Sequence, residues 1–184
     1  MFSQIRPALI FVAFFSVLLG LAYPLFMTGL GKVVFPDQAG GSLLTRDGVV
    51  VGSSMIGQEF TKPEYLHGRP SATDPAYSAD NSGGSNLAPS SAELLDQVKA
   101  RAESFGTLPV PSEMATASAS GLDPHITMKA AMAQVSRIAE ARGISDEQVI
   151  AAINSAETGP AFGFVGARIV NVLKANLALD ALKQ

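Results

Sequence analysis

A glycine-rich segment, Ser82-Gly83-Gly84-Ser85-Asn86, is the first stretch of this sequence whose residue types could do chemistry. Flexible glycines let successive backbone amides converge on an anion, as they do around bound phosphate groups. The segment lacks the full glycine spacing and the trailing lysine of a P-loop. A tight turn that lets a loop pack is the commoner use of adjacent glycines, so nucleotide binding is the weaker of two interpretations.

A second segment places Ser120, Asp123 and His125 within six residues of each other, which suggests a hydrolase. Triad members usually come from distant segments, because nucleophile, base and orienting acid must converge from different directions. We therefore favour a structural interpretation, in which Asp123 caps a following helix, Pro124 fits its first turn and His125 hydrogen-bonds locally. The other histidine, His67, is far away and cysteine is absent, so no metal site is predicted.

A long apolar run near the N-terminus must position the rest of the chain. From Pro7 to Gly31, 25 consecutive positions carry no charged side chain. A helix through them is about 37 Å long, enough to cross a hydrocarbon core of about 30 Å. We interpret it as an uncleaved transmembrane helix, because the run continues beyond the small residues Gly20-Leu21-Ala22 where a signal peptidase would cut. A cleaved signal peptide and a buried core helix are the alternatives.

The sequence also indicates an orientation for this helix. A short N-terminus with Arg6 usually stays in the cytoplasm, although Lys32 on the other side makes the charge difference small. We expect residues 1–6 inside, the helix at 7–31, and residues 33–184 outside the cytoplasm. Small side chains permit close helix contact in lipid. The candidates for such packing are Ala13, Ser16, Gly20 and Gly29.

The remaining residues, about 150 of them, suffice for one soluble domain. The net charge of −3, with no basic cluster, argues against nucleic-acid binding. Two short strands around a turn at Gly48 predict a hairpin, and three helices and a late strand follow, so the predicted class is α+β. The predicted elements are strands Leu43-Leu44 and Val49–Val51, helices from Ser90 or Ser91 to Gly106, from Asp123 or Thr127 to Gly143 and from Asp146 to about Ser155, and a strand from Ala167 to Leu173.

Between the hairpin and the first helix of the domain, Tyr65 to Ser91 is rich in proline, glycine and serine and predicts a long loop. Such loops are either functional or disordered. The side chains of Tyr65, Arg69, Tyr77 and Asn86 favour an ordered loop that carries a contact. In the helix that follows, Leu94, Leu95, Val98 and Ala102 are predicted to line one face.

Taken together, these segments resemble the C subunit of the bacterial Kdp potassium-transporting P-type ATPase, the KdpC family. The resemblance rests on many short matches in one order along nearly the whole chain. They are Gly57-Gln58-Glu59-Phe60 to Tyr65, Arg69-Pro70-Ser71-Ala72, Ser82 to Leu87 with Pro89-Ser90, Val110-Pro111, Thr116-Ala117-Ser118, Ser120 to Ile126, Ala141-Arg142-Gly143, Val170 to Leu173 and Asn176 to Asp180. The chain departs from the family at 156–160 and around Arg168, where family members carry a histidine and two arginines.

The resemblance implies a non-transporting, non-enzymatic accessory subunit of a four-subunit complex in the bacterial inner membrane. Its partners would be the K⁺-conducting A subunit, the ATP-hydrolysing B subunit and the small F subunit, with ATP and K⁺ handled by the complex and no cofactor on this chain. A membrane-anchored periplasmic hydrolase using Ser120 and His125 is the alternative. Candidate contact or motif residues are Tyr65, Arg69, Pro70, Ser82, Gly83, Gly84, Ser85, Asn86, Asp123, His125 and Asn171.

The family is also described as raising the ATP affinity of the B subunit, and its Ser-Gly-Gly segment is compared with a nucleotide-contacting signature of ABC transporters. That description conflicts with the predicted orientation, because a domain outside the cytoplasm cannot touch cytoplasmic ATP. A folded polar domain must occupy one compartment. We place it outside and expect any effect on ATP to pass through the membrane subunits.

Overall fold

The computed structural model of the chain describes residues 2–106, 108–160 and 162–182. Contacts divide the chain into two compact units, the first ending at Leu43 and the second beginning at Leu44. The first unit consists of an N-terminal helical segment, and the second is a domain of helices and two small sheets. The predicted class, one apolar helix followed by an α+β domain, is confirmed.

The N-terminal segment is helical from Ile5 to Val34, a 30-residue span long and apolar enough to cross a membrane. A 3₁₀ turn at Phe2–Gln4 leads into it, and the short α3 (Pro36–Ala39) follows it. Pro24 has no N–H for the carbonyl of Gly20, and the π-helical turn directly before it accommodates this break in the hydrogen-bond ladder. The span consists of α1 (Ile5–Val17), the π turn (Leu18–Ala22) and α2 (Tyr23–Val34).

The predicted hairpin is present as β1 (Leu43–Arg46) and β2 (Val49–Ser53), which form a two-stranded sheet. Its turn residues Asp47 and Gly48 have φ of 52° and 77°. Two consecutive positive φ angles are the geometry whose twist matches that of paired strands, and Asp-Gly is among the residue pairs that adopt it most readily.

The described residues 54–91 form neither helix nor strand, which agrees with the predicted long loop. The helix α4 (Ala92–Phe105) follows and ends at Gly106, whose φ of 74° gives the left-handed cap expected of a glycine. None of its residues is buried, and Leu95 is 54% exposed. Leu94, Val98 and Ala102 are half-buried, so the predicted apolar face is only partly covered.

The second half of the domain is a small sheet covered by helices. The strands β3 (His125–Thr127), β4 (Glu157–Thr158) and β5 (Ile169–Asn171) form an antiparallel sheet in the order β3-β5-β4, with Ile126 opposite Val170. The core of fully buried aliphatic side chains lies between this sheet and its helices. The helices are α5 (Ser112–Ala115), α6 (Met128–Met132), α7 (Val135–Arg142), α8 (Asp146–Ser155) and α9 (Val172–Ala181).

Local sequence signals explain most helix boundaries here. The Ser145 side chain accepts from the Gln148 amide, and the Gln148 side chain accepts from the Ser145 amide in return, which makes a capping box. Thr127 accepts from the Ala130 amide and starts α6. Gly143 ends α7 at φ 67°. The late strand is shorter than predicted, because the Asn171 side chain accepts from the Lys174 amide and begins α9.

One prediction at these boundaries is wrong. Asp123 does not cap a helix, since the residues after it form β3 and its Oδ1 accepts from the His125 amide at 3.0 Å. A short Asp or Asn side chain that bonds the backbone two residues later makes a turn of its own. Pro124 accordingly precedes a strand and not a first helical turn.

Side chains from the helices hold the first part of the long loop. Leu66 is fully buried in the core. Its amide donates to Asn176 Oδ1 at 2.8 Å and its carbonyl accepts from Asn176 Nδ2 at 3.0 Å. Gln134 holds His67 in the same way, at 2.9 and 3.1 Å. Both amide side chains thus replace the neighbouring strand that a buried backbone would otherwise need.

Two arginines complete this set of contacts. Arg137 donates to the carbonyls of Pro63 and Tyr65, at 2.5 and 3.1 Å. Arg142 Nε donates to the Glu64 carbonyl at 2.6 Å. We call Gln134, Arg137, Arg142 and Asn176 the loop clamp, since together they bond the backbone of residues 63–67.

Replacing Asn176 by alanine leaves the buried amide and carbonyl of Leu66 without partners. We expect the free energy of unfolding to fall by about 2–6 kcal/mol, because each of the two unsatisfied buried groups costs about 1–3 kcal/mol. Urea unfolding of the full-length chain in mild detergent, followed by circular dichroism, measures it. Asn81→Ala, at an exposed loop position, is the matched control. An equal loss in both variants would contradict the clamp.

Candidate functional site

Three loop segments that carry the sequence motifs lie against one another. The Ser118 amide donates to the Pro70 carbonyl at 3.0 Å, and the Gly83 amide donates to the Ser120 carbonyl at 2.9 Å. Ser71 Oγ donates to the carbonyl of Gly121 at 2.8 Å. We call residues 69–73, 82–87 and 117–125 the motif cluster.

Two glycines of the cluster permit close approach of the backbones. A Cβ on Gly84 would lie 3.0 Å from the Ala119 carbonyl oxygen. A Cβ on Gly121 would lie 2.6 Å from Thr73 Cγ2 and 2.8 Å from the Gly83 carbonyl oxygen, and its φ is 68°. These positions therefore need glycine for packing, without any ligand.

The same contacts bear on the phosphate-cradle interpretation. The Gly83 amide, which such a cradle would aim at an anion, donates to Ser120. Ser82 Oγ donates to the same carbonyl at 3.0 Å. Further along, Asn86 has a φ of 53° and Ser85 lines an open polar cleft of about 350 Å³. The donors at the start of the segment serve the fold, so the geometry favours the packing interpretation.

Arg69 links the long loop to the segment before β3. Its Nη1 lies 3.3 Å from Asp123 Oδ2, and its Nη2 donates to the Ala117 carbonyl at 3.3 Å. Both charged side chains are about a quarter to a third exposed, at 25% and 30%, so the ion pair alone contributes only about 1 kcal/mol or less. The Tyr77 hydroxyl donates to the Arg69 carbonyl at 2.6 Å, and burial raises the pKa of Tyr77 to about 12.

His125 and Asn171 face each other across β3 and β5. Asn171 Nδ2 lies 3.4 Å from His125 Nε2 and donates to the Ser54 carbonyl at 2.8 Å. Burial lowers the pKa of His125, an effect that the Asp123 carboxylate opposes and the Lys174 ammonium reinforces. The ring is therefore neutral at pH 7.

Ser120 and His125 are not arranged as nucleophile and base. Ser120 Oγ accepts from the Leu122 amide at 3.1 Å, and the side-chain contact of His125 is with Asn171. In the part of the chain that the structure describes, no hydrogen bond joins the two side chains. No group of three His, Asp or Glu side chains among the described residues could hold a metal ion either.

Tyr65 lies outside the motif cluster, which contains most of the other candidate residues. Its hydroxyl lies 3.4 Å from Asp180 Oδ2, and the Arg142 guanidinium lies 5.0 Å from its ring centroid. Asp180 also pairs with Arg142 at 2.9 Å and with Arg46 at 2.8 Å. This ion-pair group fastens the hairpin and α9 to the loop, and Tyr65 is part of its packing.

Sequence reasoning missed the residues that hold these segments in place. Gln134 and Asn176 are each 2% exposed, and the Arg142 side chain is 1% exposed. Polar side chains at the buried positions of an amphipathic helix are the signal that could have identified them, since such groups require partners.

Around Arg168 the sequence departs from the family that it resembles. In the structure Arg168 pairs with Glu157, with Nη2 2.6 Å from Oε2.

The predicted packing positions in the apolar N-terminal helix are all exposed. Ala13, Ser16 and Gly20 follow one another at spacings of three and four residues, which place side chains on one helix face. A Cβ added at Gly20 or Gly29 would meet nothing within 4 Å. Their contact with another helix stays a prediction.

Comparison with known proteins places these features in one family. A family model described as "K+-transporting ATPase, c chain" (KdpC) matches residues 5–181. A potassium-transporting ATPase KdpC subunit from Rhodopseudomonas palustris is 48% identical over 197 residues, covering 98% of each chain. Proteins of the same description from Methylibium petroleiphilum and Burkholderia cenocepacia are each 50% identical, covering 97% of this chain and 97% and 96% of their own.

Gly121→Ala should destabilise the motif cluster more than Gly106→Ala does. Both residues have a similar positive φ, 68° and 74°, so both substitutions carry the same backbone strain. Only at position 121 would the new Cβ also clash, whereas nothing lies within 4 Å at position 106. Thermal unfolding and limited proteolysis within residues 65–91 measure the difference. Equal behaviour of the two variants would show that the close approach is unimportant.

The free energy of unfolding should decrease as the pH falls below about 6.5, the ordinary pKa of histidine. Burial lowers the folded-state pKa of both His125 and His67, so the unfolded chain binds more protons than the folded chain in this range. Urea unfolding at several pH values tests it. His125→Gln should reduce the slope, with His67→Gln as the parallel variant. If neither variant changes how the free energy of unfolding depends on pH, the two histidines are not the cause of that dependence.

Proposed function

This chain belongs to the KdpC family of K⁺-transporting ATPase C chains, and we propose that it acts as the non-transporting accessory subunit of an ATP-driven K⁺ import complex. The observation that carries the proposal is the family match over residues 5–181, which includes the apolar helix and every helix and strand described in the domain. Relatives that match nearly end to end are named as subunits of this ATPase. The chain is accordingly an assembly partner and not itself the catalyst.

The partners we propose are the K⁺-conducting A subunit, the ATP-hydrolysing B subunit and the small F subunit. ATP and K⁺ are handled by these partners, and the chain contributes stability and contacts. Its helix packs against the channel-like subunit through the face of Ala13, Ser16 and Gly20, with Gly29 as a further close-contact position. Without a hydrophobic drive between helices in lipid, such small residues let the backbones approach closely.

We further propose that residues 1–6 are cytoplasmic, that the helix crosses the bacterial inner membrane, and that the domain lies outside. An influence on ATP affinity then passes through the membrane subunits as a coupling between distant sites, and such coupling is reciprocal. Two contacts support this account over direct nucleotide contact, since the Gly83 amide and the Ser82 hydroxyl are both bonded to Ser120.

Purification of the tagged full-length chain in mild detergent tests the assembly role. We expect the other subunits to co-purify, and we expect K⁺-dependent ATP hydrolysis only in the assembled complex. A matched preparation of the other subunits without this chain should not sustain K⁺-dependent ATP hydrolysis. Hydrolysis by the isolated chain that depends on Ser120 would contradict the proposal and favour the hydrolase alternative.

The orientation can be tested with single cysteines, because the chain has none of its own. In Ser85→Cys, on the open cleft of the domain, the thiol should react with a membrane-impermeant reagent in intact cells. In Gln4→Cys, before the helix, it should react only after the cytoplasmic side is opened. The opposite pattern would make the domain cytoplasmic and restore direct ATP contact as the leading mechanism.

A further inference from the structure

The tip of the hairpin formed by β4 and β5 is apolar and exposed. Residues 158–167 contain no charged side chain. Phe162 is 91% exposed, Phe164 81% and Val165 53%. We call these three residues the apolar tip. Large apolar side chains grouped in this way on a surface mark an interaction site.

The backbone conformation at Phe162, in the apolar tip, is unusual for a phenylalanine. Phe162 has a φ of 53° and Gly163 a φ of 81°, and the Gly163 amide donates to the Pro160 carbonyl at 3.0 Å. A left-handed φ suits glycine or asparagine, and it is strained for a bulky residue. Phe162 therefore gains neither burial nor a favourable backbone conformation within this chain. A gain from outside the chain accounts for both.

The base of the hairpin is well fixed, so the tip is presented from a defined position. Thr158 pairs with Ile169 and Glu157 with Val170, which is fully buried. Arg168 and Glu157 form a two-pronged ion pair beside the strands. Substitutions at the tip can therefore change an interaction without removing core contacts.

We propose that the apolar tip inserts into an uncharged apolar pocket on another subunit of the K⁺-transporting complex, an inference that rests on the proposed function. Three side chains bury roughly 500 Å² together. A stable interface between free partners needs about 800 Å² on each side. The tip alone would not hold a second copy of this chain in solution, but it adds to an association that other contacts already maintain.

The charges favour a protein partner over the lipid surface. Loops and helices that lie in the membrane interface combine apolar residues with Lys or Arg that attract anionic lipid. The tip has no basic residue of its own, its neighbour Arg168 is paired with Glu157, and the chain has a net charge of −3. An uncharged pocket on a protein is the surface that these properties fit.

Photo-crosslinking within the intact complex tests the contact. p-Benzoylphenylalanine replaces Phe162 in the full-length chain, and in a control it replaces Leu108, another apolar residue that is 87% exposed. We expect a crosslink from position 162 to one of the other subunits and none above background from position 108. Crosslinks from 162 only to lipid, only to a second copy, or to nothing would overturn the proposal.

Substitution provides the second measurement. Because other contacts remain, the double variant Phe162→Ser, Phe164→Ser should still associate, but retention of the other subunits after dilution of the complex should fall about tenfold, as loss of interface anchors weakens binding, while its thermal unfolding stays unchanged. Leu108→Ser should have no effect. Retention equal to that of Leu108→Ser would refute the docking role while leaving the proposed function intact. Failure of the unsubstituted chain to co-purify with any subunit would instead refute the proposed function, and this inference with it.

Discussion

A buried backbone must have hydrogen-bond partners, and this domain meets that requirement for residues 63–67 without a helix or a strand. Leu66 lies in the core with no exposed surface. The amides of Gln134 and Asn176 bond both backbone groups of the loop residues they face, and Arg137 and Arg142 bond three further carbonyls. Because the clamp residues come from α7, from the residue directly before it and from α9, the loop joins the helices into one core.

The rest of the long loop depends on this attachment. Once residues 63–67 are fixed, Arg69 can reach Asp123, and Ser71 can reach Gly121. The Gly83 amide of the Ser-Gly-Gly segment then donates to the Ser120 carbonyl, and the Ser118 amide donates to the Pro70 carbonyl of the loop. The motifs that suggested a phosphate site and a hydrolase are thus explained by contacts between loops. With both interpretations removed, the part of the domain left to carry function is its surface, as expected of an assembly subunit.

Local signals in the sequence predicted much of the fold correctly. The capping box at Ser145, the left-handed glycines at Gly106 and Gly143 and the Asp-Gly turn at Gly48 all depend on nearby residues alone. The apolar helix could be predicted in the same way, from 25 consecutive uncharged residues, a run long enough to cross a bilayer. In these places local propensity and the final structure agree.

Other features depend on contacts that are distant in sequence. The helix predicted up to Gly143 is interrupted between Met132 and Val135, where the Gln134 side chain bonds His67, 67 residues away. Residues 125–127 form a strand because β5, more than 40 residues later, pairs with them. Leu95 is 54% exposed, on a helix none of whose residues is buried. Short-range patterns carry no information about such partners.

Hydrogen exchange of the full-length chain, measured with and without Mg-ATP, tests the central claim that the loop clamp and the motif cluster serve the fold. The account predicts that the amides of Leu66, His67, Gly83 and Ser118 are protected to a degree similar to the core helices, and that ATP changes none of them. Rapid exchange at these amides, or new protection at residues 82–86 on adding ATP, would contradict it.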